Sequence, residues 1–224
     1  MRKLIIALFF TISTTVFSQV DSLQLGAKYY EDQVYLSVTY NQLYNQPTTV
    51  AKSGISFNFS AGYMRDIPLN EQQNFGIAIG AGYSFDSFNH QLKVDNINNA
   101  ITYSLDGTLS SNTFKTHNID IPFEIRWRTS TAQKFKFWRV YPGFKLSYNL
   151  SNTFSYTDAN GAVNTISNLV DYNKLQYGLT LSVGYDAFNA YTYFGLSPLY
   201  KNASIGAEKI NTRQFKVGLI FYLL

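Results

Sequence analysis

Apolar and polar positions alternate with period two in segment after segment of this chain. Residues 117–128 show it most sharply. Ile119, Ile121, Phe123, Ile125 and Trp127 take the odd positions, and Asn118, Asp120, Glu124, Arg126 and Arg128 the even ones, with Pro122 the one interruption. Successive side chains of a strand point to opposite faces, so this spacing predicts a strand with one apolar and one charged face. Strands of soluble sandwiches rarely set so many charges directly behind a row of Ile, Phe and Trp. A strand held between lipid and a polar lumen does.

The same alternation recurs over 55–63, 75–85, 138–150, 174–186 and 214–223. A first strand is expected within 23–44, with Val34, Leu36, Val38 and Tyr40 as its apolar row. An earlier row, Leu23, Leu25, Ala27 and Tyr29, has the opposite parity, which predicts a bulge or a short leader near Glu31 and Asp32. A seventh strand is expected around 190–200, where Pro198 is tolerable at an end or a bulge. With 117–128 as the fourth, the pattern predicts eight strands. Connections near 67–72, 130–134 and 187–190 are short, whereas those near 45–53, 87–116, 152–172 and 201–211 are longer and richer in Asn, Ser, Thr and Asp.

Strict short–long alternation is the mark of a membrane barrel with periplasmic turns and extracellular loops. Greek-key sandwiches need not alternate in this way. The expected fold is therefore all-β, an eight-stranded antiparallel transmembrane β-barrel with short periplasmic turns and longer extracellular loops. Closure is a physical requirement, because an open sheet edge in hydrocarbon leaves backbone groups unpaired.

Composition agrees with this picture. Tyr and Phe number 18 each, aromatic residues make up 17% of the chain and charged residues only 14%, as suits a protein with aromatic girdles at two membrane interfaces. Arg2 and Lys3, the apolar run Leu4 to Phe10, and Val16-Phe17-Ser18 before Gln19 read as a secretory signal over residues 1–18. That leaves 19–224 as one barrel domain, with no Pro/Gly/Ser-rich linker to divide it. The chain has 18 basic and 14 acidic residues; removing Arg2 and Lys3 leaves 16 against 14, a net charge of +2. So small an excess does not point to a nucleic-acid partner. There is no cysteine, hence no disulfide framework.

Face assignment constrains the charges. A Lys or Arg on the lipid face near the bilayer midplane costs about 2–4 kcal/mol, so Arg126, Arg139, Lys145 and Lys216 are expected to point inward, on the parity that allows it. Buried charges need partners. The expected lumen network joins Glu124, Arg126, Arg128 and Arg139 with Asp66 or Asp186, and Lys145 and Lys216 share the lumen. The third strand offers only Gly76, Ala78, Gly80, Gly82 and Ser84 to the inside, leaving room for long side chains of its neighbour. An eight-stranded barrel has an interior just wide enough for side chains to fill, so a plugged lumen is expected over an ion path.

Candidate chemistry is sparse. His90 is expected in the second long loop, as a surface histidine with Asp86 and Asp95 nearby; His117 is expected at the outer rim of the fourth strand, on the lipid-facing parity. Outer-membrane enzymes place catalytic groups at such rims, but neither histidine sits in a local catalytic motif. No His/Cys/carboxylate cluster has metal-ligand spacing, and Gly80-Ala81-Gly82 lies inside a strand with no helix following, which rules out a phosphate loop. No cofactor, metal or catalytic residue is expected.

Asp66-Ile67-Pro68-Leu69-Asn70, Ile121-Pro122-Phe123-Glu124-Ile125-Arg126-Trp127-Arg128, Lys136-Phe137-Trp138-Arg139-Val140-Tyr141 and Val217-Gly218-Leu219-Ile220-Phe221-Tyr222 resemble the PorT-like outer-membrane β-barrel family of Bacteroidota, across essentially the whole mature chain. The resemblance implies a Gram-negative outer-membrane location, and it implies a role accessory to type IX protein secretion, which a founding member of that family serves. Together these expectations describe a monomeric, non-catalytic barrel surrounded by outer-membrane lipid. It would bind or scaffold a protein partner through loops 87–116 and 152–172 or through its periplasmic turns. A small passive channel and a rim enzyme acting on lipid or peptide are the alternatives.

Overall fold

The computed structural model describes residues 32–47, 50, 54–97, 100–129, 138–185 and 188–223. The expected signal at 1–18, the row Leu23 to Tyr29, the turn at 130–134 and Asp186 lie outside the described residues. Eight long strands build the barrel: β1 (Gln33–Tyr44), β2 (Phe57–Pro68), β3 (Phe75–Asn89), β6 (Ser111–Arg128), β7 (Trp138–Thr157), β9 (Leu175–Tyr185), β10 (Phe188–Gly195) and β13 (Arg213–Leu223). All neighbours run antiparallel in the order β6-β3-β2-β1-β13-β10-β9-β7, and a further β6–β7 pairing closes the sheet on itself. No barrel strand is then left with an unpaired edge in the bilayer. No helix among the described residues is long and apolar enough to cross a membrane. The strands make the crossing.

Burial is inverted relative to a soluble protein. Ile119, Ile121, Phe123, Ile125 and Trp127 on β6 are each 38–46% exposed, while Arg126 and Arg128 on the alternate positions are 0% and 1% exposed. Val34, Leu36, Val38 and Tyr40 on β1 are likewise exposed, and Gln33, Ser37, Thr39 and Asn41 buried. A continuous apolar exterior around a charged interior is stable only where lipid replaces water outside.

A transmembrane strand needs about 9–11 residues, yet β6 has 18 and β7 has 20. Their surplus extends beyond the bilayer on the extracellular side. There β3 and β6 are joined by the hairpin β4 (Leu92–Ile97) and β5 (Ala100–Leu105), and β8 (Val163–Ser167) adds to the outer end of β7. A two-residue ribbon pairs β11 (Ser204–Ile205) with β12 (Glu208–Lys209). The expected loops 87–116 and 152–172 are therefore largely ordered strand. One extra residue explains why alternation hides this. Asn118 pairs with Asn149 but His117 with Ser151, so Leu150 is bulged and every later side chain of β7 changes face. The seventh barrel strand ends at Gly195, and Pro198 lies beyond it.

The small residues of β3 make room for two sets of neighbours. A Cβ on Gly80 would meet the Met64 sulfur, and one on Gly82 or Gly62 would meet the ring of Tyr35. Met64 and Tyr35 thus fill the space at Gly80 and Gly82, whereas at Gly76 and Ala78 the long side chains of Arg126 and Arg128 on β6 cross β3 to reach Asp66 on β2.

Candidate functional site in the lumen and extracellular cap

Charges are stacked in three layers along the barrel interior. At the periplasmic end Asp66 accepts from two guanidinium groups, Arg126 Nη1 at 3.2 Å and Arg128 Nη2 at 2.9 Å. Glu124 accepts from Arg126 Nε at 3.0 Å and from the Tyr222 hydroxyl at 2.9 Å. The Arg126 guanidinium also lies over the rings of Tyr141 and Tyr222, 4.9 and 5.7 Å from their centroids, a cation–π contact strengthened by desolvation. Arg128 Nε donates to the Gln73 carbonyl at 2.7 Å, which ties the layer to the β2–β3 turn. Arg139 is buried at the same depth, opposite Arg128 in the β6–β7 ladder.

The middle layer is Lys145 with Asp120, 3.0 Å apart. In the outer layer Asp86 accepts from Lys216 Nζ at 2.5 Å and from Asn41 Nδ2 at 2.8 Å. Tyr193 stands between these two layers, its ring 4.9 Å from the Lys145 ammonium and 5.5 Å from that of Lys216. Arg126, Arg128, Lys145 and Lys216 thus each have a carboxylate against them, as their desolvation demands. A lumen cavity of about 20 Å³ is lined by Tyr35, Glu124, Lys145 and Tyr191. By the ~10–15 Å³ that one water requires, it has room for about one water molecule and little else.

The outer layer continues upward without a break. Asn118 donates to Asp86 at 3.2 Å, Asn149 to Asn118 at 2.8 Å, Asn152 to Asn149 at 2.9 Å, and the Leu169 backbone N–H to Asn152 at 2.9 Å. Leu169 belongs to an apolar core above the membrane, together with Phe88, Leu92, Phe114, Phe154, Tyr172 and Leu199. The Phe114 and Phe154 rings stack at 3.9 Å, and Tyr172 meets Phe114 edge-on at 5.3 Å. Where β3, β6 and β7 leave the bilayer, their inward face changes from polar to aromatic. The strand ends and the extracellular elements pack into a lid over the lumen.

His90 belongs to this lid, which corrects its expected place on the surface. It is 7% exposed and lies edge-on to Phe154 and Phe114, at 5.4 and 6.3 Å. Its Nδ1 accepts from the Leu92 N–H at 3.1 Å, and burial pushes the imidazole down to about 3. Asp86 and Asp95 are not its neighbours in any shared network. Asp86 serves Lys216 inside the barrel, and Asp95 accepts from the Tyr156 hydroxyl. His117 faces outward, half-buried, with Phe85 at 5.0 Å and the Tyr83 hydroxyl on its Nδ1. The two histidines therefore lie on opposite faces of the wall. Asp86 and Asp120 are the lumen acids that residue patterning did not single out, although both continue the inward parity of their strands, after Ser84 and before Glu124.

Residues 17–201 match the family described as outer membrane protein beta-barrel domain. The chain belongs to that family. Membership together with the closed eight-stranded sheet identifies a transmembrane barrel of the Gram-negative outer membrane. Among solved structures, the barrel is similar to Ail, the attachment invasion locus protein of Yersinia pestis, at 11% identity over 87% of this chain and 100% of that one, with a TM-score of 0.38. The porin of Rhodopseudomonas blastica, as a triple mutant, aligns over the same shares at 9% identity and a TM-score of 0.22. No curated protein matches the chain.

Proposed function

We propose that this protein is a non-conducting, non-catalytic outer-membrane barrel, exported through a signal at residues 1–18, whose working surface is its extracellular lid. It acts as a monomer in outer-membrane lipid and binds or scaffolds a partner through the folded elements between β3 and β6 and between β7 and β9, or through the periplasmic turns. The observation that carries this reading is the double closure of the lumen, by ion pairs within the membrane and by an aromatic core above it. The resemblance to PorT-like barrels of Bacteroidota supports a finer role, accessory to type IX protein secretion.

Planar-bilayer recording of the purified barrel is expected to give no stable single-channel steps. Large Ohmic steps would overturn the closed lumen in favour of a small channel. Cargo secretion that is unchanged in a deletion strain would remove the secretion role. A surface activity on lipid or peptide that disappears in His117→Ala would favour a rim enzyme.

A further inference from the structure

At the outer ends of β3 and β6 an open cleft of about 440 Å³ runs between the β3–β4 corner and the β5–β6 connection. Its size falls within the ~300–1,000 Å³ of small-molecule sites. Its chemistry is unusual for this protein, which is otherwise so aromatic. Asn89, Gln91, Asp106, Ser110, Ser111 and Asn112 line it with the edge of His90, Leu109 is its one large aliphatic side chain, and no Lys or Arg is among the described lining residues. We propose that this cleft binds a neutral saccharide; the inference rests on the binding role proposed above and names the ligand class of that surface.

Several groups are held ready for such a ligand. The Asn89 amide donates to the Ile55 carbonyl at 2.6 Å and the Asn112 amide to the Leu92 carbonyl at 2.9 Å. Each carboxamide is thereby fixed in orientation, and its oxygen is left to accept from a hydroxyl. Asp106 is organised by Thr108, whose N–H and hydroxyl donate to Oδ1 at 3.0 and 2.6 Å. Those bonds hold its carboxyl below the ordinary value, so it meets a ligand as an anion. Lys93 approaches Oδ2 at 3.5 Å from behind but does not line the cleft.

A fixed carboxylate with carboxamides and hydroxyls, and no cation among the described lining residues, matches vicinal hydroxyl groups, each of which both donates and accepts. The same set disfavours phosphates and other anions, which want Arg or Lys forks. It also disfavours acyl chains, which want apolar walls. The cleft opens above the bilayer, where either free oligosaccharides or surface polysaccharide could reach it.

Gly107 supplies a clean test. A Cβ built there meets nothing within 4 Å, and its φ lies outside the left-handed region, so a large side chain fills the cleft without disturbing the fold. Titration of the detergent-solubilised barrel with neutral di- and trisaccharides, and separately with O-polysaccharide released from lipopolysaccharide, should reveal saturable binding in at least one arm. The arm that saturates identifies the source of the ligand. Gly107→Trp is expected to weaken that binding at least tenfold. Val170→Trp, which adds the same bulk at an 85% exposed position outside the cleft, should leave it unchanged. Absence of binding in both arms, or equal binding by Gly107→Trp, would overturn the saccharide site. The closed-barrel reading would still stand or fall by its own conductance test.

Discussion

His90 donates nothing through Nδ1, which accepts the Leu92 N–H, so the buried ring is the neutral Nε2–H tautomer. Adding a proton would place an imidazolium among Phe114 and Phe154 without water, and burial therefore drives its pKa to about 3 from the ordinary 6.5. An opened lid takes up that proton near pH 6.5; the closed lid refuses it until near 3. Lid stability is thus intact above pH 6.5 and falls with decreasing pH between the two values, at about 1.4 kcal/mol per pH unit. At pH 5 the loss is roughly 2 kcal/mol by the same linkage. Limited proteolysis of the folded barrel should cut the extracellular elements faster at pH 5 than at pH 7.5. His90→Phe loses the acceptor for Leu92 and lowers stability near neutral pH, but it should flatten the acid limb. A wild-type cleavage rate that is flat over this range would contradict the linkage.

At the scale of elements, close packing inside the barrel depends on glycine at one crossing. Gly62 on β2 pairs with Gly82 on β3, and the Tyr35 ring from β1 lies across both. A Cβ at Gly82 would collide with the Tyr35 hydroxyl and with the Ala61 carbonyl, which is backbone and cannot step aside. Gly82→Val is expected to lower the urea midpoint of the refolded barrel by an amount that corresponds to about 1–3 kcal/mol, the usual cost of overpacking. An unchanged midpoint would mean that Tyr35 has somewhere else to go.

Alternation made the faces of these strands legible in the sequence, because lipid on one side and polar lumen on the other impose the pattern residue by residue. It also allowed Asp66 to be joined with Arg126 and Arg128, but it did not supply the partners of Lys145 and Lys216. Lys216 and Asp86 are 130 residues apart and come from β13 and β3. Beyond the bilayer the pattern itself changes meaning. Phe88, Phe114 and Phe154 are apolar on the inward parity, since lid rather than lumen lies there, and the bulge at Leu150 moves the later residues of β7 to the other face. Residues 87–116 and 152–172 thus look like loops by alternation while folding as strands.

For the whole molecule, the lid and the charged layers are closures in series, and a path through the barrel exists only where both are open. The polar chain from Asp86 through Asn118, Asn149 and Asn152 to Leu169 joins them mechanically, yet each blocks the axis with its own side chains. Replacing residues 91–106 by an Asn-Gly link removes β4, β5 and Leu92 from the lid but leaves Lys145–Asp120 and Lys216–Asp86 in place. Truncating all three charged layers together, as Asp66→Ala, Glu124→Ala, Arg126→Ala, Arg128→Ala and Arg139→Ala with Asp86→Ala, Asp120→Ala, Lys145→Ala and Lys216→Ala, avoids stranding a charge. A buried ion left without its partner costs about 3–5 kcal/mol, whereas removing both members can be close to neutral. In planar bilayers neither alteration alone should conduct, and the combined protein should show discrete steps. Heat-dependent gel mobility checks that each variant still closes into a barrel. Steps from the lid deletion alone would show that the ion-pair layers do not seal the lumen. Steps from the lumen truncation alone would show the same of the aromatic lid, and either result would break the series arrangement.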